Sequence, residues 1–119
     1  MLSPQIVNQL SQDWIQSWNE NSLDKHILMY VDDAEEVSSI SSRLIDFTHG
    51  RIKGKHTLAI YWTLLKQAFP KMQYSLKRTI HADKHILLYF QIPIWESEAI
   101  AKLELNEHFK ITKALISHV

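Results

Sequence analysis

The stretch from Gly54 to Pro70 constrains this chain more than any other. Leu58, Tyr61, Trp62, Leu65 and Phe69 recur at i, i+3, i+4 and i+7, the rhythm of one helical face. Ile60, Leu64 and Ala68 widen that face, leaving a narrow polar stripe at Thr63, Lys66 and Gln67. A helix this apolar needs cover over most of its circumference. Gly54 sits where the chain turns in, and Pro70 disfavours helical geometry at the residue before it, so the spacing predicts a helix over 55–69. After Pro70 the period changes to two. Tyr74, Leu76 and Ile80 share one face of the segment from Met72 to Ala82, and Asp83-Lys84 reads as a tight turn. The run 86–92 is apolar on both faces, so both need cover. Ala99 to Leu105 alternates with Lys102 and Glu104 on one side, and Asn106-Glu107-His108 turns the chain into a last strand from Phe109 to Val119. The second half is therefore a helix followed by an antiparallel meander.

The first half supplies two more helices. Ser3 is an N-cap and Pro4 fits the first helical position, where its missing N–H costs nothing. Val7, Leu10, Trp14 and Trp18 mark the buried face of a helix over 4–19. A shorter helix over 22–30 buries Leu23, Ile27 and Tyr30, and Val31 to Glu36 closes it. An extended segment follows from Val37 to Phe47, although its serines also suit turns. Thr48-His49-Gly50 is a turn, and Arg51-Ile52-Lys53 leads to the central helix. No repeat or boundary interrupts the pattern, so 1–119 reads as one α+β domain with helices packed on one face of a curved sheet.

Composition removes several functions. Thirteen basic and thirteen acidic residues cancel, which argues against a nucleic-acid partner. There is no cysteine, hence no disulfide and no thiolate nucleophile or zinc-thiolate site. No apolar run approaches the roughly 20 residues that cross a bilayer, and the N-terminus carries no signal-peptide pattern. A soluble cytoplasmic protein without a membrane partner is the expectation. No Gly-rich phosphate loop is present, and neither 50–54 nor its context supports nucleotide binding. His81 and His85 are four apart but fall on a hairpin, so no metal site is expected there. His26, His49, His56 and His108 are scattered and read as surface residues.

The order of these motifs resembles the nuclear transport factor 2-like superfamily, in particular its bacterial polyketide-cyclase-like (SnoaL-like) members. Trp14-x-x-x-Trp18-Asn19, Leu23-Asp24 and Tyr30-x-Asp32-Asp33 resemble the family's opening helices. Arg43-Leu44-x-Asp46, Gly54-x-x-x-Leu58-x-x-Tyr61-Trp62 and Phe69-Pro70 resemble its third helix and approach. Ala114-x-x-x-His118 resembles a family ending in which Ala-His-Tyr is common, with departures at Ser117 and Val119. The Asn106–Phe109 hairpin also lacks the usual Asp-Gly turn. The resemblance implies a cone: a strongly bent antiparallel sheet wraps three helices and leaves an apolar cavity at its open end. It also implies a choice among cofactor-free isomerases, dehydratases and cyclases, and non-catalytic binding or dimerisation modules. Fold alone does not choose.

Two places in the chain are candidates for acid/base chemistry. Asp33, with Asp32 second, would be desolvated at the rim of an apolar cavity, which would raise its pKa into a useful range. Its structural alternative is a solvated helix end running into Glu35-Glu36. His118 shares strand parity with Ile116 and Ala114, so it points where they point, either into a cavity or into a packed core. Trp18, Tyr30, Trp62 and Tyr89 are the candidate ligand-binding residues, as aromatic walls with polar tips, with ordinary core packing as the alternative. The expected ligand is a small apolar or amphipathic molecule. A homodimer is expected as well, because 86–92 presents Leu87 and Tyr89 on the face away from Ile86, Leu88, Phe90 and Ile92.

Overall fold

The computed structural model describes residues 2–38 and 50–118. Helix α1 spans Pro4–Asn19, α2 Leu23–Ile27 and α3 Lys55–Ala68. The strands are β1 Tyr30–Ser38, β2 Arg51–Lys53, β3 Ser75–Ala82, β4 His85–Ile92, β5 Ser97–Leu105 and β6 Ile111–His118, with a 3₁₀ turn at Pro93–Trp95 between β4 and β5. They form one curved, unclosed sheet in the order β2-β1-β6-β5-β4-β3. Every neighbouring pair is antiparallel except β1 and β6, which run parallel.

The capping logic of α1 holds. The Ser3 hydroxyl accepts from the Ile6 N–H at 3.2 Å, and Pro4 opens the helix. Asn21, in the left-handed region at φ 59°, turns the chain out of it. Gly54 sits at φ 94° and donates its N–H to the Ala34 carbonyl at 2.8 Å, tying the start of α3 to β1. A side chain there would be strained by the backbone angle alone.

The inward faces of the strands and the inward stripes of the helices make one core. Ile86, Leu88, Phe90 and Ile92 are buried from β4, and Ala99, Ala101, Leu103 and Leu105 from β5. Much of the bulk comes from Trp14, Trp18, Tyr61 and Trp62, each about fully buried; burial of a large apolar side chain is worth about 2–3 kcal/mol. Trp18 stacks on Tyr74 at 5.2 Å, and the Asn19 side chain both donates to and accepts from the Tyr74 backbone at 2.8 Å. This clamp fixes the end of α1 against the approach to β3.

Three expectations change. Helix α2 ends at Ile27, and Tyr30 to Glu36 is strand, so Asp32 and Asp33 lie on β1 instead of a helix end. The reason is register: the chain pairs with β6 from Tyr30 opposite Ile111 to Ser38 opposite Ile116, and these ladder bonds outweigh the local helical spacing. The rest of the extended segment predicted to Phe47, with Thr48-His49 of the turn, lies outside the described residues. In β3, Leu76 pairs with Phe90 but Arg78 pairs with Tyr89, so Lys77 is an extra residue. This bulge reverses parity, and Ile80 leaves the face of Tyr74 and Leu76 to lie 42% exposed opposite Leu87. On α3, Ile60 and Leu64 are 48% and 41% exposed, so the helix is covered on less of its circumference than its composition demands.

The Asn106 hairpin closes without the Asp-Gly pair. Asn106 Oδ1 accepts from the N–H groups of His108 and Lys110, and Phe109 takes the left-handed position at φ 61°. No helix among the described residues is long and apolar enough to cross a membrane.

Candidate functional site

The inward row of β1 is Ala34, Glu36 and Ser38, all buried. A carboxylate has therefore been carried into the core by strand parity alone. Glu36 is 3% exposed and lies between Ile52 of β2 and Ala114 of β6 in the ladder. Its Oε1 accepts from the Trp62 indole N–H at 3.3 Å. Burial pushes the Glu36 pKa up to about 7, and that one hydrogen bond only partly opposes the rise. The hydroxyls of Tyr30, Tyr61 and Tyr74 feel the same burial first and the Glu36 charge second, and all three are held above the usual phenol range. Tyr61 is also hydrogen-bonded to Ser38.

Around Glu36 lies a small cavity. Its walls include Trp14, Trp18, Tyr61, Trp62 and Tyr74, and its polar lining is Glu36, Ser38, His26 and His118. The open space is about 10 Å³, room for about one water. The Trp18 indole N–H faces no acceptor among the described residues although its atom is buried. Both ring nitrogens of His118 are shielded from solvent, and the ring packs 6.1 Å from Trp95.

His26 completes the polar lining and was misplaced on the surface by its sequence context. It is 1% exposed, at the centre of Trp14, Trp18, Tyr30 and Trp62. Ser17 Oγ donates to the Asp13 carbonyl at 2.6 Å, so its proton is committed, and His26 Nδ1–H must be the donor in the 2.7 Å contact with Ser17 Oγ. Burial and then the Lys66 charge depress its pKa to about 3, against a backbone hydrogen bond to Trp14. His26 is a neutral structural imidazole.

The six residues expected at the site divide. Trp18, Trp62 and His118 line the cavity. Tyr30 lies just behind, with its ring 5.0 Å from Trp62 and its hydroxyl accepting from the Trp14 indole at 2.9 Å. Tyr89 is on the other face of the sheet, where Arg78 stacks on its ring at 4.3 Å. Asp33 is exposed and does not line the cavity, and the Asp32 side chain is fully in water. Both aspartates lie between Tyr30 and Glu35, where the pairing of β1 with β6 shifts register, and this irregularity leaves them out of the ladder. The carboxylate that faces inward, Glu36, was passed over as part of an acidic helix end. Only the period-two reading of Ala34, Glu36 and Ser38 could have found it. No cluster of histidine and acidic side chains suited to a metal ion occurs among the described residues.

No protein-family model and no curated protein sequence matches the chain. Solved structures do. A SnoaL-like protein of unknown function from Burkholderia thailandensis is similar over 100% of this chain and 99% of its own, at 20% identity and a TM-score of 0.90. A protein provisionally named a polyketide cyclase from Sinorhizobium meliloti covers 92% and 94% at 12% identity, with a TM-score of 0.74. One provisionally named a ketosteroid isomerase from Kribbella flavida covers 95% of this chain and 77% of its own at 11% identity, with a TM-score of 0.69. The chain has the nuclear transport factor 2-like fold.

Proposed function

We propose that the chain binds a small neutral molecule at the inner face of the sheet and moves a proton to or from it with Glu36. The observation that carries this reading is the buried carboxyl with a pKa of about 7 in an aromatic-walled cavity. A base is most useful when its pKa lies near the working pH, and burying an acidic group this deeply is otherwise a cost. Trp18 offers a fixed, unused N–H donor to a ligand oxygen, and His118 is a second polar group in the lining. The set needs no cofactor. The names carried by the similar structures, a polyketide cyclase and a ketosteroid isomerase, make enolisable carbonyl compounds the first ligands to try. Asp33 takes no part.

The test is proton exchange in heavy water. A panel of small ketones and enones is followed by NMR with the wild type and with Glu36→Gln. Accelerated exchange at the carbon beside the carbonyl, rising through about pH 7 and lost in the variant, is the expected result. Absence of both exchange and thermal shift across the panel would favour a non-catalytic module. The small cavity volume is the observation that speaks for that second reading, since about 10 Å³ leaves the core nearly filled by its own side chains.

The outer face of the sheet supports self-association of the chain in either case. Val37, Leu115, Lys102, Leu87 and Ile80 stand in one cross-strand row. Beside it runs a row of alternating charge, Lys53, Glu35, Lys113, Glu104 and His85, in which Glu35 lies 3.5 Å from Lys113. An apolar stripe edged by both signs of charge suits a two-fold copy of itself. Light scattering at micromolar concentration should give twice the chain mass, and a monomeric mass would remove the proposal.

A further inference from the structure

Trp18 brings an unmet N–H to the lining of the cavity, and a donor serves a ligand only where its geometry is held. Helix α1 supplies little of that hold. It ends one residue later, and its last turn carries no basic side chain to meet its free carbonyls. The cation comes from another helix. Lys66 of α3 donates from Nζ to the Trp18 carbonyl, and the same ammonium lies 4.1 Å over the Trp18 ring. One side chain thus grips both the backbone and the indole of the residue that owns the free N–H. Among the described residues Lys66 makes no ion pair, so no carboxylate competes for the ammonium. It is half-buried, and burial pulls its pKa from 10.5 to about 8, which leaves it mostly charged at neutral pH. The titratable groups around this contact are His26 of α2, Tyr74 stacked on Trp18 at 5.2 Å, and Glu36 and His118 in the cavity lining.

We infer that Lys66 is a positioning residue of this site: from α3 it pins the Trp18 indole, so that the free N–H keeps its place relative to Glu36. This rests on the reading of the cavity as a binding site, but its test needs no ligand. Lys66 follows Trp62 by one turn of α3, and the Trp62 indole is what bonds Glu36 Oε1. Two side chains of one helix therefore hold the two working groups of the site, the carboxyl and the donor N–H. The Asn19 clamp does not duplicate this. Asn19 ties the end of α1 to the Tyr74 backbone ahead of β3, whereas Lys66 ties it to the helix that carries Trp62. Removing the ammonium would leave α1 anchored to the sheet side and release Trp18 on the α3 side.

The indole N–H signals of isotope-labelled tryptophan, read by NMR, separate these roles. Trp14 donates to Tyr30 and Trp62 to Glu36, so their signals report on the rest of the core and on the carboxyl. Wild type, Lys66→Met and Lys66→Arg are transferred to heavy water near neutral pH, and the loss of each signal is timed. In Lys66→Met, which keeps the stem and loses the charge, the Trp18 signal should vanish about ten-fold faster or more, the factor that a lost charge-assisted hydrogen bond carries, while Trp14 keeps its rate. Lys66→Arg, which keeps a cation, should fall between the two. A second arm uses Glu36→Gln to silence the carboxyl. There the Trp18 signal should move through about pH 8 with Lys66 present and stay still in the double variant with Lys66→Met. His26, depressed to about 3, and Tyr74, held above the phenol range, do not titrate near that pH. An unchanged Trp18 rate in Lys66→Met would overturn the inference, and so would Lys66→Arg as fast as Lys66→Met, since charge would then not be the hold. Equal acceleration of Trp14 and Trp18 would overturn it too, because the whole core would have loosened. A movement that persists without Lys66 would belong to His118 and do the same. The expected pattern found without proton exchange by the protein would leave Lys66 in this role and dismiss only the catalytic role of Glu36.

Discussion

Replacing Glu36 by Gln should stabilise the protein, and by an amount that depends on pH in a fixed direction. In the unfolded chain the carboxyl titrates near 4.5, and in the fold near 7. A group whose folded pKa is raised contributes stability that is full below the unfolded value and is lost as pH climbs through the folded one. The difference of 2.5 units, 7 less 4.5, at about 1.4 kcal/mol per unit amounts to about 3 kcal/mol lost between pH 4.5 and pH 8. The group is buried, so no solvent screening reduces this figure. Gln is nearly isosteric, still offers Trp62 an acceptor oxygen, and cannot ionise. Urea unfolding followed by tryptophan fluorescence should therefore show the variant gaining on the wild type by about 3 kcal/mol from pH 4.5 to pH 8, on the order of 10 °C in Tm for a chain this size. His26 and the surface groups titrate in both proteins and cancel in the difference. A stability difference constant to within about 0.5 kcal/mol across that range, the usual scatter for a neutral surface change, would refute the account of Glu36 as a buried, reluctantly ionised acid.

His26 works in the opposite sense: its pKa falls from 6.5 to about 3, so its share of stability is full above pH 6.5 and drains as acid is added. Its imidazole signals should not titrate by NMR above about pH 4, and His26→Asn should flatten the acid limb of the stability curve. Tyr30→Phe strands the Trp14 indole N–H in the core and should cost about 1–3 kcal/mol in urea unfolding. Asn19→Ala removes both bonds to the Tyr74 backbone and should cost a similar about 1–3 kcal/mol. Asp33→Asn should change stability by less than about 0.5 kcal/mol and leave ligand affinity untouched; a loss of binding would return Asp33 to the site.

The legible parts of the fold were those where burial and periodicity agree. Val7, Trp14 and Trp18 on α1, Leu58, Tyr61, Trp62 and Leu65 on α3, and the alternate residues of β4 and β5 are buried as their spacing requires. Long-range pairing overrode the local signal at Tyr30, which ends an apolar helical triplet in the sequence and begins a strand in the fold. A bulge is equally invisible: nothing in Leu76-Lys77-Arg78 announces that one residue will be skipped, yet the skip sends Ile80 to the other face. The site suffered most because its key residue breaks the binary pattern. Glu36 has Glu35 beside it, and the two are the same residue in adjacent positions with opposite fates. Glu35 faces outward, where Arg51 lies 2.9 Å away and Lys113 3.5 Å away, while Glu36 is sealed inside. Only the register of β1 separates them. His118 was legible because its parity matched two apolar neighbours on a strand that the sequence already defined.

The parallel pairing of β1 with β6 also sets the order of assembly. Residues 30–38 find their partners at 111–116, and Met29 and Leu28 accept from the Ile111 N–H and the Lys110 ammonium. These two neighbouring strands, second and third in the sheet, are thus separated by most of the chain. A ribosome making this protein must deliver residue 116 before β1 can join the rest of the sheet. Until then the strand that carries Glu36 lacks one of its two neighbours, so the carboxyl can stay hydrated and ionised. Below about pH 7, where the folded carboxyl is protonated, sealing the core and protonating Glu36 become a single late event, governed by a loop closure of about eighty residues, the kind of non-local step that slows folding. The rate of refolding should then fall as pH rises through the range where that proton must be captured from water.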